Sequence, residues 1–461
     1  MCVASRRRGC AASRDFSPLF RNVPVSETPF WALRARCTSL CSPSLASPTC
    51  MTTNARATLS LYRQNPVQTR RRHVPSLFLP PQVRAPGSLP GCATGTFGLV
   101  LECWDRHERE YVAVKVVRTH PKDKYSHAAR LEIEVLETLR RLDPGAVHHC
   151  VRLRRHFMHR GHVCMAFDRL GSSLYDFLRR NSYHPFRVDL VADFGRQLLD
   201  AMQFMHAQGL VHTDLKPENI LLHDSSYDKQ PTAPGSKVLT RVPHSSAVWL
   251  IDFGSATWDE RYHSTVVSTR HYRAPEVILG MGWSFPCDVW SLGCILVELL
   301  TGEALFQTHE NLEHLAMMEA VVGPIPPAVI ARSDEHSRKY FRDPPTQLRW
   351  PEGSSSRDSV RAVRKLRSLG EIVRQAGVPP GLASSLTDLL ASMLRYDPGR
   401  RITAAQALRH AFFNNVAIKP PAPPVRPPPP PVAMQPSYPT RGCGPSSTDR
   451  LDLSRTTPRI V

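Results

Sequence analysis

Apolar residues follow two different periods along the middle of the chain. A β-branched run at residues 112–117 predicts a short strand. The next stretch, residues 126–139, predicts a helix because apolar side chains recur there at helical spacing, at Ala128, Leu131, Val135, Leu136 and Leu139. Pro and Gly residues separate four further predicted helices, at residues 188–205, 287–300, 384–394 and 404–408. The pattern indicates a small strand-rich part that precedes a larger helical part.

Both ends of the chain lack a sustained period of either kind. Residues 1–90 are rich in Arg, Ser and Pro and predict a mostly disordered basic arm. The basic, acid-poor opening of this arm is also similar to an organelle transit peptide, which is the less favoured interpretation. Residues 414–461 contain 13 prolines, five of them consecutive at 427–431. This composition predicts a disordered tail, and a polyproline II rod that acts as a spacer or as an SH3/WW ligand is the alternative.

Composition excludes several classes of protein. The 461 residues are 41% hydrophobic, which is enough to bury a sizeable core. No apolar run reaches about 18 residues, so we expect no membrane-spanning helix. The 12 cysteines are scattered without CxxC pairs, which predicts neither a zinc ribbon nor a disulfide framework and favours a reducing compartment.

The net charge of +19 is unevenly distributed along the chain. Lys and Arg outnumber Asp and Glu by 13 to 2 in residues 1–94, but only by 40 to 36 in residues 95–413. The excess charge therefore lies mostly on the N-terminal arm and does not predict a basic groove for nucleic acid on the folded part.

A lysine and a glutamate are candidates for an ion pair at a phosphate site. Lys115 lies in the predicted strand, and Glu132 lies on the apolar face of the following predicted helix. A carboxylate in that position costs free energy unless a cation pairs with it. The pair would hold the Lys115 ammonium against nucleotide phosphates, whereas either residue alone would be an ordinary surface charge.

Four more polar residues complete a set suited to phosphoryl transfer. The segment His-Thr-Asp-Leu-Lys-Pro-Glu-Asn at 212–219 follows a predicted helix, and Asp-Phe-Gly at 252–254 follows an apolar run. Asp214 is placed to accept the proton of a substrate hydroxyl, and Lys216 is placed to neutralise the transferred phosphate. Asn219 and Asp252 are candidate oxygen ligands for Mg²⁺. Ala-Pro-Glu at 274–276 extends the set in the order of the kinase signatures.

This ordered set resembles a eukaryotic protein kinase domain over residues 95–413, about 70% of the chain. Three motifs are similar to those of the CDC-like, or LAMMER, dual-specificity kinases. They are His-Thr-Asp at 212–214, Asp-Phe-Gly-Ser-Ala-Thr at 252–257 with Ser-Thr-Arg-His-Tyr-Arg-Ala-Pro-Glu at 268–276, and Glu-His-Leu-Ala-Met-Met-Glu at 313–319. The resemblance implies an α+β, two-lobed protein kinase fold with a small β-rich N-lobe, a larger helical C-lobe and disordered arms. The implied kinase domain covers residues 91–413, with the N-lobe ending at about 170 and the C-lobe at 171–413.

The resemblance also implies an activity and its partners. We expect an ATP- and Mg²⁺-dependent monomer that phosphorylates Ser, Thr and Tyr, acts on Arg/Ser-rich splicing factors in the nucleus and so regulates pre-mRNA splicing. No direct nucleic-acid partner and no membrane partner are expected. The alternatives are a pseudokinase or scaffold with a degenerate phosphate loop, and an interaction protein that acts through its arms.

Individual residues take roles by the same resemblance. Phe167 is similar to the gatekeeper beside adenine, residues 168–170 to the hinge, and Asp176 to a residue near the ribose. Glu276 and Arg401 match a buried ion pair, Asp288 matches a support of the catalytic loop, and residues 223–248 match a hairpin insertion. The implied nucleotide-binding residues are Gly95, Thr96, Phe97, Gly98, Val100, Ala113, Lys115, Glu132, Phe167, Leu170 and Asp176.

Three departures from the family pattern, at Ala93, residues 84–91 and Ala320, and one family feature, Thr213, affect these expectations. Ala93 replaces the first glycine of the phosphate loop, and residues 84–91 do not look like the expected first strand. Thr213 replaces an arginine that binds phosphate in many kinases, so we expect activity without a phosphate in residues 253–273. Ala320 follows the Glu-His-Leu-Ala-Met-Met-Glu motif at 313–319, where the LAMMER family has an arginine. We interpret this replacement as neutral. Acidic candidates for binding a basic substrate are Asp259, Glu260, Glu310 and Glu313, although solvated surface charge is the favoured interpretation of any one of them.

Overall fold

The computed structural model describes seven stretches of the chain. They are residues 77–78, 93–95, 98–117, 124–232, 235–261, 263–344 and 346–416. All of them belong to one compact unit, formed by Pro75–Val83 and Pro90–Val461. The prediction of a disordered arm over residues 1–90 is wrong at Leu77–Phe78, which form a strand paired with residues 104–105. The rest of that prediction, and those for residues 84–91, Thr96 and Phe97, lie outside the described residues. The predicted tail does too, except for residues 414–416, of which the first two belong to the last helix, Ala411–Asn415.

A six-stranded antiparallel sheet forms the N-terminal part. Its strands are β1 (Leu77–Phe78), β2 (Ala93–Gly95), β3 (Gly98–Asp105), β4 (Glu110–Val117), β5 (Leu153–His159) and β6 (His162–Asp168). The spatial order is β1-β3-β4-β6-β5, with β2 also paired to β3. Along β4, Val112, Val114 and Val116 are buried, whereas Ala113 and Lys115 are half-buried on the other face. The period of two that predicted this strand thus also directs Lys115 away from the core.

Helix α1 (Lys124–Leu142) follows the sheet and is longer than the predicted 126–139. The predicted apolar stripe is wrong at its beginning, because Ala128 and Leu131 are exposed. The buried face instead contains Ala129, Glu132, Val135, Leu136 and Leu139. Glu132 lies on the buried face as predicted, and Ala129 takes the place that the prediction gave to Ala128.

The C-terminal part is built around two long helices. Helices α3 (Val188–Ala207) and α5 (Pro286–Thr301) bury most of their side chains, and Trp290 of α5 is fully buried. Both exceed their predicted bounds by one or two residues. The helix predicted at 384–394 runs from Pro380 to Met393, since Pro380 takes the first position, where a missing N–H costs nothing.

Shorter helices complete this part. They are α2 (Leu174–Arg180), α4 (Pro275–Ile278), α6 (Asn311–Val322), α7 (Pro327–Ile330), α8 (Arg357–Lys365), α9 (Leu369–Gln375), α10 (Pro380–Met393), α11 (Ala404–Leu408) and α12 (Ala411–Asn415). The prediction for α11 is confirmed at both ends. The five cysteines among the described residues are all buried. No helix in the described stretches is long and apolar enough to cross a membrane.

Three two-stranded antiparallel sheets lie in the C-terminal part. They pair β7 (Leu210–Val211) with β12 (Thr257–Trp258), β8 (Ile220–Leu222) with β11 (Val248–Leu250), and β9 (Tyr227–Pro231) with β10 (Leu239–Pro243). The last pair confirms the hairpin predicted within 223–248. The α+β class with a β-rich N-lobe and a helical C-lobe is confirmed.

Candidate active site

The pairing of β8 with β11 brings two candidate metal ligands to one end of a small sheet. Ile220 lies opposite Leu250, so Asn219, just before β8, lies near Ile251 and Asp252, just after β11. The backbone N–H of Ile251 donates to the carbonyl of Asn219 at 2.9 Å. Residues 33 positions apart in the sequence are therefore neighbours because of strand register.

The loop after β7 carries the candidate base and is held from below by Asp288. This aspartate is 1% exposed and accepts the N–H groups of His212 at 2.8 Å and Thr213 at 2.9 Å. Burial opposes the charged form of Asp288, but hydrogen bonding and charge from His206, 3.1 Å away, outweigh it and lower the pKa. Asp288 therefore supports the catalytic loop as an acceptor, in the position that the resemblance implied.

His212 fixes the same loop through both ring nitrogens. The N–H of Asp214 can only donate, so Nδ1 of His212 accepts it at 3.3 Å. Nε2 therefore carries the proton and donates to the carbonyl of Ile251 at 3.2 Å. This fully buried ring thus connects the residue before Asp252 to the backbone of Asp214.

Lys115, Glu132 and Asp252 form an ion triad, in which Glu132 is buried and the other two residues are half-buried. Nζ of Lys115 lies 2.6 Å from Oε1 of Glu132 and 3.0 Å from Oδ1 of Asp252. Burial disfavours the Lys115 ammonium, but the two carboxylates outweigh it and raise the pKa of Lys115. Burial also disfavours the charge on Asp252, but Lys115 outweighs that effect and lowers the pKa of Asp252. Lys115 is therefore cationic and Asp252 anionic at neutral pH, as a phosphate and metal site requires.

Asp214 lies between a cation and a hydroxyl. Its Oδ1 accepts the backbone N–H of Thr269 at 3.0 Å and the Thr269 hydroxyl at 2.7 Å. Lys216 contacts the other oxygen of Asp214, and its Nζ lies 3.3 Å from the Thr269 hydroxyl. The predicted base and the predicted phosphate-neutralising lysine thus lie side by side, and Thr269 orients both.

The donor set around Asn219 and Asp252 fits Mg²⁺ together with a nucleotide. The Asn219 amide donates Nδ2 to the carbonyl of Asp214 at 2.9 Å, which leaves its carbonyl oxygen as the remaining acceptor. Oδ2 of Asp252 has no hydrogen-bond partner among the described residues. The described part of the chain contains no cluster of three His, Cys, Asp or Glu residues that could hold a metal ion by themselves. Mg²⁺ commonly takes only one or two carboxylates from the protein and completes its shell with phosphates and waters.

The described nucleotide-binding candidates line one side of the sheet. Ala113 lies opposite Phe167, and Val100 lies opposite Lys115. Gly98 is required by packing, because a Cβ there would overlap the carbonyl oxygen of Val116. Leu170 is half-buried against the core, and Asp176, in the first turn of α2, is 2.8 Å from Arg179.

The phosphate loop departs from its family pattern at Ala93 with little consequence for the backbone. Ala93 lies in β2, opposite Val100, and its neighbour Gly95 lies opposite Gly98. Extended backbone is open to alanine as well as glycine. The expected conformational cost of this replacement is therefore absent.

Two residues at the reaction centre have left-handed backbones. Thr213 has φ of 67° and Asp252 has φ of 64°. Such conformations cost a non-glycine residue roughly 1–3 kcal/mol and persist only where surrounding contacts impose them. The contacts of Asp288 with Thr213 and of Lys115 with Asp252 supply that constraint.

Sequence reasoning missed an arginine pair that braces the hinge. Arg152 donates to Asp168 at 3.1 and 3.2 Å, and Arg154 donates to the same carboxylate at 2.5 Å. Arg154 also contacts Glu110 at the start of β4. The sequence feature that could have indicated this contact is the spacing of Arg152 and Arg154, two residues apart at the beginning of β5.

A second missed pair lies after Thr269. Arg273 donates to the carbonyls of Val267 and Ser268 at 2.8 Å, and Arg270 donates to Asn311 at 2.7 Å. Among the described residues, no carboxylate pairs with either arginine. Burial, with a contribution from Arg270, lowers the pKa of Arg273 to about 10.

The acidic candidates for substrate binding differ in outcome. Glu313 is wrong as a substrate contact, since it is 9% exposed and accepts hydrogen bonds from Thr308 and Ser359. Its helical position turns it toward α8, so it has a structural role. Glu260 is exposed, and Asp259 and Glu310 are half-buried. Ala320 packs against the core, and its interpretation as a neutral replacement stays a prediction.

The implied buried ion pair is present. Arg401 donates to Glu276 at 2.6 and 2.8 Å, and neither side chain is exposed to solvent. Arg401 also donates to the carbonyls of Pro286, Arg395 and Tyr396. The guanidinium thus satisfies several buried acceptors at once.

Comparisons with known proteins agree with this geometry. A family model described as the protein kinase domain matches residues 92–413. The chain is 55% identical over 324 residues to serine/threonine-protein kinase AFC2 of Arabidopsis thaliana, covering 69% of this chain and 74% of that protein. It is 46% identical over 319 residues to dual specificity protein kinase lkh1 of Schizosaccharomyces pombe, covering 69% and 45%. It is 45% identical over 321 residues to dual specificity protein kinase CLK1 of Homo sapiens, covering 69% and 64%. The crystal structure of a kinase domain is similar with a TM-score of 0.64 and 37% identity, covering 70% of this chain and 94% of that one.

Proposed function

The chain belongs to the protein kinase family, among its CDC-like (LAMMER) members, and from that premise we propose that it phosphorylates Ser, Thr and Tyr in Arg/Ser-rich splicing factors. It is a protein kinase and uses ATP. We further propose that Mg²⁺ is its metal, that it acts as a monomer in the nucleus, and that its activity regulates pre-mRNA splicing.

The observation that carries the proposed activity is the convergence of five groups from distant parts of the chain. Lys115 contacts both Glu132 and Asp252, and Asn219 bonds to the backbone of Asp214. These contacts bring a cation, a base and two oxygen ligands into one cleft. A pseudokinase or scaffold would not need them together.

Each side chain has a separate task in this proposal. Lys115 binds nucleotide phosphates, and Asn219 and Asp252 hold Mg²⁺, which neutralises phosphate charge when bound. Asp214 accepts the proton of the substrate hydroxyl, and Lys216 stabilises charge on the transferred group. Glu132 holds the Lys115 ammonium in position.

Substrate class rests on charge and on family resemblance. Glu260 is exposed beside the segment that precedes Thr269, and Asp259 and Glu310 retain partial exposure. Such carboxylates attract arginine-rich peptides chiefly by long-range steering, which weakens as salt increases. The names of the yeast and human relatives specify dual specificity for those proteins, which supports the same specificity here.

The test is phosphate transfer by the full chain. Purified protein is incubated with radiolabelled ATP, Mg²⁺ and an Arg-Ser repeat peptide, beside the variant Asp214→Asn. We expect transfer by the wild type and a loss of about 10³-fold or more in Asp214→Asn. Asp358→Asn, at an exposed carboxylate on α8, is the matched control and should keep wild-type activity.

Two outcomes would decide against the proposal. Equal background transfer by wild type and Asp214→Asn would favour a scaffold. Transfer to acidic or neutral peptides at least as fast as to the Arg-Ser peptide would contradict the substrate class while leaving the enzyme assignment intact.

A further inference from the structure

The hydroxyl of Thr213 makes a hydrogen bond that has no role in the proposed phosphate transfer. Oγ1 of Thr213 donates to the backbone carbonyl of Ser255 at 2.8 Å. The Thr213 side chain is buried, with only 2% of the residue exposed. Its backbone N–H is separately occupied by Asp288. The hydroxyl is therefore free to serve one partner, and that partner belongs to a different segment.

Strand register explains why these two residues meet. In the pair of β7 with β12, Val211 lies opposite Thr257. Continuing that antiparallel register by two residues places Thr213 opposite Ser255. Strand β7 ends at Val211 and β12 begins only at Thr257. Beyond these ends, the hydrogen bond from the Thr213 side chain to Ser255 joins the two segments.

The two ends of this hydrogen bond lie close in sequence to the two carboxylates of the site, Asp214 and Asp252. Thr213 is covalently adjacent to Asp214. Ser255 ends the 3₁₀ turn Phe253–Ser255, which begins directly after Asp252 and is closed by a hydrogen bond from Ala256 N–H to the carbonyl of Phe253 at 3.1 Å. A displacement of the Ser255 carbonyl would therefore be transmitted through one short turn to Asp252.

The left-handed backbone of Thr213 supports a specific requirement at this position. A β-branched residue seldom adopts φ of 67°, and the strain persists only if local contacts impose it. In that conformation the N–H reaches Asp288 and the hydroxyl reaches Ser255, so one residue connects α5, the catalytic loop and the turn after Asp252.

We propose that the Thr213 hydroxyl is a positioning group that holds Asp252 in register with Asp214 through the carbonyl of Ser255, without any phosphorylated residue. This inference rests on the proposed phosphotransfer. An arginine in this position would need a phosphate to bind, whereas a hydroxyl needs only a carbonyl that the fold always provides. The link is therefore permanent, and it acts on the metal-binding carboxylate rather than on the peptide site.

The test compares full-length variants that differ by a hydroxyl. Thr213→Val keeps the branched shape and removes the donor, and Thr213→Ser keeps the donor. We measure kcat, the KM for peptide and the Mg²⁺ concentration for half-maximal rate. In Thr213→Val we expect kcat to fall by about tenfold and the Mg²⁺ requirement to rise at least threefold, with the peptide KM within about twofold of wild type. Thr213→Ser should keep most of kcat and a near-normal Mg²⁺ requirement.

Thr232→Val is the matched control for loss of a hydroxyl. Thr232 lies beside the β9–β10 hairpin, where its hydroxyl bonds to Ser236 at 2.9 Å. We expect this variant to keep wild-type kinetics. If Thr213→Val does not fold, the pair Thr213→Ala and Thr213→Ser gives the same comparison at equal size, and Ala should be the slower by about tenfold.

Two results would overturn the inference. One is Thr213→Val with kcat and Mg²⁺ requirement both within about twofold of wild type. The other is that Thr213→Ser and Thr213→Ala have the same kcat and the same Mg²⁺ requirement. In that case the methyl group or the backbone of Thr213 would matter, and its hydroxyl would not.

A second readout separates this inference from the proposed function. The thermal stabilisation of each variant by ADP is measured as a function of Mg²⁺ concentration, which reports on metal-ligand placement without turnover. If the wild type transferred no phosphate, the proposed function would fail. A Mg²⁺ dependence shifted in Thr213→Val but not in Thr213→Ser would still support the positioning role, and identical curves would refute it.

Discussion

At the scale of single residues, the site depends on carboxylates that are fully or partly withdrawn from solvent and stabilised by a cation or a hydrogen-bond donor. Glu132 is 5% exposed and has Lys115 as its partner, and Asp252 shares that partner. Burial raises the pKa of Glu132, and the positive charge of Lys115 opposes this effect. Removing the lysine should therefore harm stability as well as chemistry.

We expect Lys115→Met to destabilise the protein by about 3 kcal/mol, because it leaves Glu132 buried without a cation. Phosphate transfer should fall more than about 100-fold, since the phosphate-binding charge is gone. The double variant Lys115→Met/Glu132→Gln should recover much of the stability and none of the activity. Urea denaturation and the peptide assay measure the two effects. A double variant as unstable as the single one would contradict this account.

A second residue-scale prediction concerns Glu298, whose carboxylate accepts the Tyr272 hydroxyl at 2.7 Å. Burial raises the pKa of Glu298 from 4.5 to about 7. The folded chain therefore binds a proton here that the unfolded chain releases, and stability falls as pH rises from about 4.5 to 7. Replacing Glu298 with Gln should remove up to roughly 3 kcal/mol of this dependence. As the pH rises from 5 to 8, the melting temperature of Glu298→Gln should increase relative to that of the wild type. A difference in melting temperature that stays constant over this range would contradict the raised pKa of Glu298.

At the scale of elements, periodicity predicted the helices and strands that are buried on one face, and it was wrong at single positions of α1. The stripe assigned to α1 included Ala128 and Leu131, but both are exposed. The sequence did place Glu132 on this face with Lys115 as its partner, but spacing alone did not separate Ala129, which is buried, from Ala128, which is exposed. Likewise, no sequence spacing relates Thr213 to Ser255, since the register of β7 and β12 brings them together.

The β9–β10 hairpin gives a prediction at the scale of an element. Asn181, which is 6% exposed, donates to the Thr240 hydroxyl at 2.9 Å and accepts the N–H of Arg241 at 2.7 Å. Asn181→Ala should destabilise the protein by about 2 kcal/mol and accelerate hydrogen exchange in the hairpin, with little change in phosphate transfer. Thr240→Val removes only one of these bonds and should have a smaller effect. Unchanged exchange in Asn181→Ala would show that other contacts hold the hairpin.

The segment from Asp252 to Arg273 gives a second element-scale prediction. Its described residues are held by contacts within the protein, including Arg261 to Glu134 at 2.8 Å and Trp283 to the carbonyl of Ser264 at 2.8 Å. Thr213 supplies no guanidinium that could bind a phosphate there. We therefore expect phosphatase-treated protein to keep most of its activity, with dephosphorylation verified by mass spectrometry. Loss of nearly all activity would refute this expectation.

At the scale of the whole molecule, motif order was sufficient to predict the two-lobed fold, while the contacts that join distant segments required the structure. The kinase signatures placed Lys115, Glu132, Asp214, Asn219 and Asp252 in one set, and the structure brings them together. The pairing of Arg152 and Arg154 with Asp168 was not predicted, because neither arginine stands in a recognisable motif. Glu313 was misassigned for a related reason, since sequence position alone does not distinguish a buried carboxylate from one at a peptide groove.

The Glu276–Arg401 pair tests how far one buried contact supports the whole C-terminal part. It joins α4 to the loop before α11. Helix α4 follows residues 253–273, which we expect to border the peptide site and call the peptide segment. Arg401→Ala leaves Glu276 fully buried without its cation, so we expect a loss of about 4 kcal/mol in the free energy of unfolding. Arg401→Lys keeps the charge but cannot form the two-pronged contact, and it should lose roughly half as much. Because the pair lies outside the cleft, the remaining folded protein should keep its KM for ATP while its KM for peptide increases. A rise in the ATP KM without a change in the peptide KM would show that the pair supports the nucleotide cleft and does not brace the peptide segment.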